Sequence, residues 1–143
     1  MSAAQLDLPG SRVVDLFAGS GALGLEALSR GAEHATFVET GPGAIAQIEA
    51  NIATLGAGHQ SEIVREDALA FAGRIEPGAF DLAFADPPYG HGLAAALLEQ
   101  FARRPFASKL WIEHRSDETL PALAGARTRR YGDTSITSIP AES

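Results

Sequence analysis

The stretch from Val13 to Gly24 constrains the fold more than any other part of the chain. Residues 13–17 form an apolar, β-favouring run, and helical spacing of apolar residues begins after the glycines of residues 19–24. This order predicts a strand, a tight turn and a helix. Glycine is needed at Gly19 and Gly21 because so sharp a turn demands positive φ and because a side chain would fill space where a ligand approaches. The free N–H groups of the helix N-terminus then face that ligand.

Further strands and helices alternate along the rest of the chain. The predicted strands are residues 35–39, 61–65, 80–85 and 109–113, and the predicted helices cover roughly residues 45–55, 68–73 and 93–101. Two more β-favouring runs, 127–131 and 134–139, flank Gly132-Asp133, which is typical of a hairpin. The pattern predicts a Rossmann-like α/β fold: a mostly parallel, seven-stranded sheet with helices on both faces and one antiparallel edge strand.

Length and composition predict one domain, residues 1–143, because 143 residues of which 45% are hydrophobic suffice for one core. No apolar run reaches the roughly 18 residues of a membrane span, so we expect a cytoplasmic protein without membrane contact. The chain has no cysteine and its four histidines are widely separated, which argues against a metal site.

The net charge of −7 argues against a protein that grips bare nucleic acid through phosphates alone. Positive residues nevertheless concentrate in two places. One contains Arg103, Arg104 and Lys109, and the other contains Arg127, Arg129 and Arg130. Taken alone, each cluster is interpreted as solvent-exposed surface charge.

Two acidic residues and one loop limit which class of ligand can bind at the glycine turn. Residues 19–24 formally match G-x-G-x-x-G, and Glu39 follows Gly19 by 20 residues at the end of the second strand, which fits a nicotinamide dinucleotide or an adenosyl cofactor. Asp15, inside the first strand, would repel a pyrophosphate but suits the ammonium group of a methionine moiety. A dinucleotide enzyme has no evident use for Asp-Pro-Pro-Tyr, residues 86–89, after the fourth strand.

Three blocks of the chain, residues 15–31, 37–39 and 86–89, closely resemble the bacterial small-subunit ribosomal RNA guanine-N2 methyltransferases. These belong to the class I methyltransferases, which use S-adenosyl-L-methionine. The likeness covers about residues 13–139. Members of this family normally carry several tens of residues before the first strand, with basic and aromatic positions that grip RNA, whereas about a dozen precede it here.

The resemblance implies a role for each site residue. Asp15, Gly19 and Gly21 would line the methionine end of the cofactor, Phe17 would contact it, Glu39 would hold the ribose, and Asp67 with the Ala68 backbone would contact the adenine. Asp86, Pro87, Pro88 and Tyr89 would hold the target base. The implied partner is ribosomal RNA or a partly assembled small subunit, bound by a monomer that needs no metal.

The chemistry of amine methylation fits the Asp-Pro-Pro-Tyr loop. An exocyclic purine amine is a poor nucleophile because its lone pair is delocalised into the ring. Asp86 and the Pro87 carbonyl can accept the two amine hydrogens, the prolines stiffen the loop, and Tyr89 offers a stacking face. Stacking on an aromatic side chain is worth about 1–3 kcal/mol per base.

Other interpretations remain open at this stage. Asp15 or Asp67 could simply cap a turn or helix, and Glu39 could be an exposed carboxylate. His91, His114 and Arg115 either border the pocket or, as is more common, are surface groups. Functional alternatives are an adenine-N6 methyltransferase, a catalytically silent cofactor-binding module and, more remotely, a dinucleotide-dependent oxidoreductase.

Overall fold

The computed structural model describes residues 8–141, in which five strands alternate with four α-helices and two further strands follow. In chain order these are β1 (Arg12–Leu16), α1 (Ala22–Ser29), β2 (His34–Val38), α2 (Pro42–Leu55), β3 (Ser61–Val64), α3 (Ala68–Arg74), β4 (Phe80–Ala85), α4 (Leu93–Arg103), β5 (Ala107–Arg115), β6 (Arg127–Tyr131) and β7 (Thr134–Pro140). A short 3₁₀ turn, Gly58–Gln60, precedes β3. Within this described part, no helix is both long enough and apolar enough to cross a membrane.

All seven strands belong to one sheet, in the order β3-β2-β1-β4-β5-β7-β6. The first five pair in parallel, whereas β7 runs antiparallel to both β5 and β6. The predicted α/β sheet is therefore confirmed. The antiparallel strand β7 lies one position inside the edge, and β6 forms the edge itself, because the two-residue connection between them allows only a hairpin.

The central strands of the sheet are buried on both faces, which explains why their sequences are apolar runs. One core packs against α1 and α2 and includes Phe37, Ile48 and Phe84. The other packs against α3 and α4 and includes Leu97 and Phe101. Helix α2 ends at Gly56, which adopts the left-handed conformation at φ 64°, as expected of a helix-terminating glycine.

Candidate active site

The turn after β1 and the loop after β4 lie side by side at the carboxyl edge of the sheet. Strands β1 and β4 are parallel neighbours, and their last residues, Leu16 and Ala85, face each other in register. The chain therefore leaves both strands at the same height, and ligands of open α/β sheets bind at this edge. The two motifs, which are far apart in sequence, thus lie at the same edge of the sheet.

The turn after β1 has the backbone that the glycines predict. Phe17, Gly19 and Gly21 have positive φ angles of 57°, 57° and 80°, and Phe17 is the single such residue other than glycine in the described chain. A positive φ is strained for a bulky side chain, so the surrounding structure must hold Phe17 in place. A Cβ at Gly19 would meet nothing within 4 Å, so this residue borders open space. Gly19 is therefore suited to close approach by a ligand.

At Gly21 and Gly24 a side chain is limited by a different feature, the ring of Phe37 beneath the turn. A Cβ at Gly21 would lie 3.2 Å from Phe37 Cε1, and one at Gly24 would lie 2.4 Å from the same atom. The Gly21 N–H also donates to the Ala18 carbonyl at 2.8 Å. Gly21 and Gly24 thus allow helix α1 to pack closely on β2. Gly21 also forms part of the turn, through its positive φ and its hydrogen bond to Ala18.

Asp15 lies in the interior below the turn, with 2% of its surface exposed. Its Oδ2 accepts a hydrogen bond from the Gly24 N–H at 3.0 Å, which ties β1 to the first turn of α1. Burial raises the pKa of Asp15 to about 8; the Gly24 hydrogen bond opposes that shift, and the charges of Asp86 and Glu39 add to it. The carboxyl groups of Asp15 in β1, of Glu39 after β2 and of Asp86 after β4 therefore lie near one another at the turn.

Glu39 joins the first two loops at the carboxyl edge. Its Oε1 accepts from the Gly19 N–H at 2.7 Å, and its Oε2 accepts from the N–H groups of Thr40 at 3.0 Å and Gly41 at 2.9 Å. A carboxylate offers about four acceptor positions, so three are filled by backbone donors and one remains at Oε1. Glu39 is thus more than an exposed carboxylate: it fixes the position of the Gly19 amide.

Asp67 is the N-cap of α3, since its Oδ2 accepts from the Ala70 N–H at 3.0 Å. The side chain is exposed, whereas Ala68 is 4% exposed and belongs to the core. The capping interpretation of Asp67 is therefore correct, and Ala68 has a packing role. Contact of either residue with an adenine stays a prediction.

The loop after β4 places Asp86 beside a residue that the sequence did not single out, Glu113 on β5. Ala85 pairs with Ile112, so Asp86 and Glu113 follow them on adjacent strands. The two side chains share a hydrogen bond, and desolvation together with the Glu113 charge raises the pKa of Asp86 to about 6. Pro87 is buried, whereas Asp86 and Pro88 are exposed. Asp86 and Glu113 border a cavity of about 420 Å³.

Tyr89 completes this loop, with 55% of its surface exposed. The guanidinium carbon of Arg115 lies 4.9 Å from the centre of its ring, so Arg115 belongs to the loop environment. The prediction that His114 is a surface group is wrong: it is 7% exposed, and its Nε2 lies 2.7 Å from Thr137 Oγ1. His114 shares the inward phase of β5 with Leu110 and Ile112.

The strand order, the glycine turn and the loop after β4 define a class I methyltransferase fold. The solved RNA methyltransferase of Salinibacter ruber has the same fold, with a TM-score of 0.76 at 12% identity over 97% of this chain and 86% of that one. The sequence profile of a family described as "Conserved hypothetical protein 95" matches residues 1–139. The chain belongs to this family.

Named relatives agree with this assignment. The chain is 37% identical to the YlbH protein of Bacillus subtilis (strain 168), whose name assigns it provisionally to the rRNA methyltransferases, over 89% of this chain and 74% of that protein. It is 35% identical to "Ribosomal RNA small subunit methyltransferase D" of Escherichia coli (strain K12), over 79% of this chain and 58% of that protein. A solved conserved hypothetical protein of Streptococcus pyogenes superimposes with a TM-score of 0.81 at 33% identity, covering 94% of this chain and 88% of the other.

Proposed function

We propose that this chain transfers a methyl group from S-adenosyl-L-methionine to the exocyclic N2 amine of a guanine in small-subunit ribosomal RNA. The observation that carries the proposal is the register of β1 and β4, which brings the glycine turn and Asp86 to one edge of the sheet. The name of the Escherichia coli relative supports ribosomal RNA as the substrate class. Such a substrate, free or in a partly assembled small subunit, is cytoplasmic.

The glycine turn fits this cofactor on three counts. The space above Gly19 is open, a buried carboxyl at Asp15 lacks a positive partner among the described residues, and Glu39 keeps one acceptor position at Oε1. When bound, the cofactor supplies an electrophilic methyl carbon on a sulfonium. Asp15 would face its methionine ammonium, and Glu39 would accept from a ribose hydroxyl. Phe17 would border it, and Asp67 with Ala68 would border the adenine.

Asp86 and Glu113 together account for guanine better than for adenine. Guanine presents N1–H and N2–H donors side by side, and the neighbouring carboxyl groups of Asp86 and Glu113 offer acceptors for both. Adenine presents an acceptor at N1, which an ionised carboxylate repels. Asp86 accepts an amine hydrogen, the Pro87 carbonyl accepts the other, and Tyr89 stacks on the base.

Proton transfer in this proposal follows bond formation. The N2 proton becomes acidic only once the nitrogen carries positive charge. The Asp86–Glu113 pair therefore does not need to be a strong base. With a pKa of about 6, Asp86 is mostly ionised at neutral pH and can receive the proton. Most of the rate would come from holding the nitrogen and the methyl carbon roughly 3–3.5 Å apart and in line.

The test is methylation of small-subunit ribosomal RNA with radiolabelled cofactor, followed by mass analysis of the nucleosides. We expect N2-methylguanosine from the unaltered chain and none from Asp86→Ala. Asp81→Ala is the matched control, because Asp81 is exposed and lies on β4 at the opposite end of the strand from Asp86, where its Oδ2 accepts from the Arg12 N–H. If the product were N6-methyladenosine, the target base would be adenine rather than guanine. Cofactor binding without transfer to any ribosomal RNA would contradict the proposal and favour a silent module.

A further inference from the structure

The face of the sheet beyond the two helices α1 and α2 forms a groove, here called the sheet groove. It has a volume of about 460 Å³, and side chains of three adjacent strands line it. These are Lys109 and Trp111 of β5, Ile136 and Ser138 of β7, and Arg127, Arg129 and Tyr131 of β6. The groove is separate from the glycine turn and from the cavity beside Asp86.

The lining of the sheet groove is basic and aromatic in an acidic protein. The chain carries 18 acidic and 11 basic residues, yet three cations and no carboxylate line this space. Arg127 and Arg129 are exposed, and no carboxylate among residues 8–141 forms an ion pair with either. The Lys109 Nζ lies 5.0 Å from the centre of the Trp111 ring, and Tyr131 is 50% exposed. Interleaved cations and flat rings suit a polyanion that carries aromatic bases.

The sheet groove leads to the Asp86–Glu113 pair. On β5, Lys109, Trp111 and Glu113 share one face, and four residues of strand span about 13 Å. Glu113, Ile136 and Arg129 stand in one row across β5, β7 and β6, so Arg129 is about 10 Å from Glu113 between strand axes. A flexible chain whose reacting nucleotide lies at Asp86 can therefore lay its neighbouring nucleotides along the groove.

We propose that the sheet groove binds the single-stranded RNA that flanks the target nucleotide. Arg127, Arg129 and Lys109 contact phosphates, and Tyr131 stacks on a base. A single strand fits better than a duplex because stacking on Tyr131 requires a base that is not already stacked in a helix. The inference rests on the proposed function, since it takes RNA as the substrate.

The experiment measures binding of a fluorescent oligouridylate of about ten nucleotides, a length within the usual site sizes of single-strand binders, at several salt concentrations. The double variant Arg127→Ala/Arg129→Ala is compared with Arg130→Ala, whose side chain alternates to the opposite face of the same edge strand and donates to the Gly132 carbonyl at 2.9 Å. Each lost phosphate contact lowers the slope of log K against log salt by about 0.7. We expect a slope smaller by about 1.4 and, at about 0.1 M salt, affinity weaker by roughly 25-fold.

The affinity of Arg130→Ala for the oligouridylate should lie within about twofold of that of the unaltered chain, since this variant keeps the phosphate contacts of Arg127, Arg129 and Lys109. Tyr131→Ala should weaken binding while leaving the salt slope unchanged, because stacking releases no counterions. Calorimetric titration with S-adenosyl-L-methionine should give the same affinity for all these variants, which shows that they are folded and separates this inference from the proposed function.

Three results would overturn the inference. Equal RNA affinity for the double variant and the unaltered chain would exclude the groove even if ribosomal RNA is methylated. No binding of the oligouridylate by the unaltered chain at low salt would exclude it as well. Sedimentation as a dimer that the double variant disrupts, without RNA binding, would assign this face to a second copy of the chain.

Discussion

Asp15→Asn is expected to stabilise the protein and to weaken its binding of S-adenosyl-L-methionine. Asparagine retains the size of the side chain and an oxygen that can accept from the Gly24 N–H, which now bonds Asp15 Oδ2 at 3.0 Å. It removes a carboxyl group whose ionisation is disfavoured by burial. The same change removes a carboxyl group that could ionise opposite a cationic ligand.

The size of the stabilisation follows from the pKa of Asp15, about 8 in the folded chain against an ordinary value of 3.8. The folded state holds its proton across this interval while the unfolded state releases it, so the stability contributed by the protonated group is complete below 3.8 and declines as the pH rises towards 8. At 1.36 kcal/mol per pH unit, the unaltered chain should lose about 4 kcal/mol between about pH 5 and pH 8. Asp15→Asn should lose none of this part.

Urea unfolding at the two pH values measures the difference, and Asp81→Asn is the control because it makes the same chemical change at an exposed strand position. Its pH dependence should match that of the unaltered chain. If Asp15→Asn shows the same pH dependence as the unaltered chain, or is less stable at both pH values, the assignment of a costly buried carboxyl is refuted. Calorimetry on the same samples checks the loss of cofactor affinity.

Four further outcomes are expected. Gly24→Ala should lower the free energy of unfolding by about 1–3 kcal/mol, because its Cβ would lie 2.4 Å from Phe37, and pairing it with Phe37→Leu should restore part of the loss in urea denaturation. Gly19→Ala meets no such clash, so its cost in stability should be limited to the roughly 1–2 kcal/mol of a non-glycine residue at positive φ, and calorimetry should show weaker cofactor binding. Asp67→Ala should cost about 1 kcal/mol through loss of the α3 cap. Methylation should rise with pH through about 6 as Asp86 ionises, and a flat profile would contradict the role given to that carboxylate.

The strands were predictable from sequence because apolar runs end at glycine, proline or charged residues. Strands β4 and β6 begin and end at the predicted residues, and the remaining strands and the helices differ by a few residues at their ends. The hairpin also follows from Gly132-Asp133. The position of β7 between β5 and β6 was harder to see, because strand order depends on pairing rather than on local pattern.

The site was predictable where a motif is continuous and harder to predict where two strands create it. Asp86 follows a proline-marked break, whereas Glu113 sits within an ordinary strand and gains its role only from the β4–β5 register. His114 could have been assigned to the interior, since it follows Leu110 and Ile112 in the inward phase of β5. Gly24 was visible as a glycine, but the Phe37 ring that requires it lies on another strand.

The exposed strand β6 has an unpaired backbone edge in addition to its exposed side chains. As the last strand of the sheet, it presents a row of backbone N–H and C=O groups that another chain could pair with, and repulsion between positive charges is a common defence against such self-association. Arg127, Arg129 and Arg130 supply that repulsion here. The arginines of β6 are therefore subject to two requirements, the groove and the strand edge. Neutral residues in their place would leave an exposed strand edge that favours pairing with another chain and aggregation.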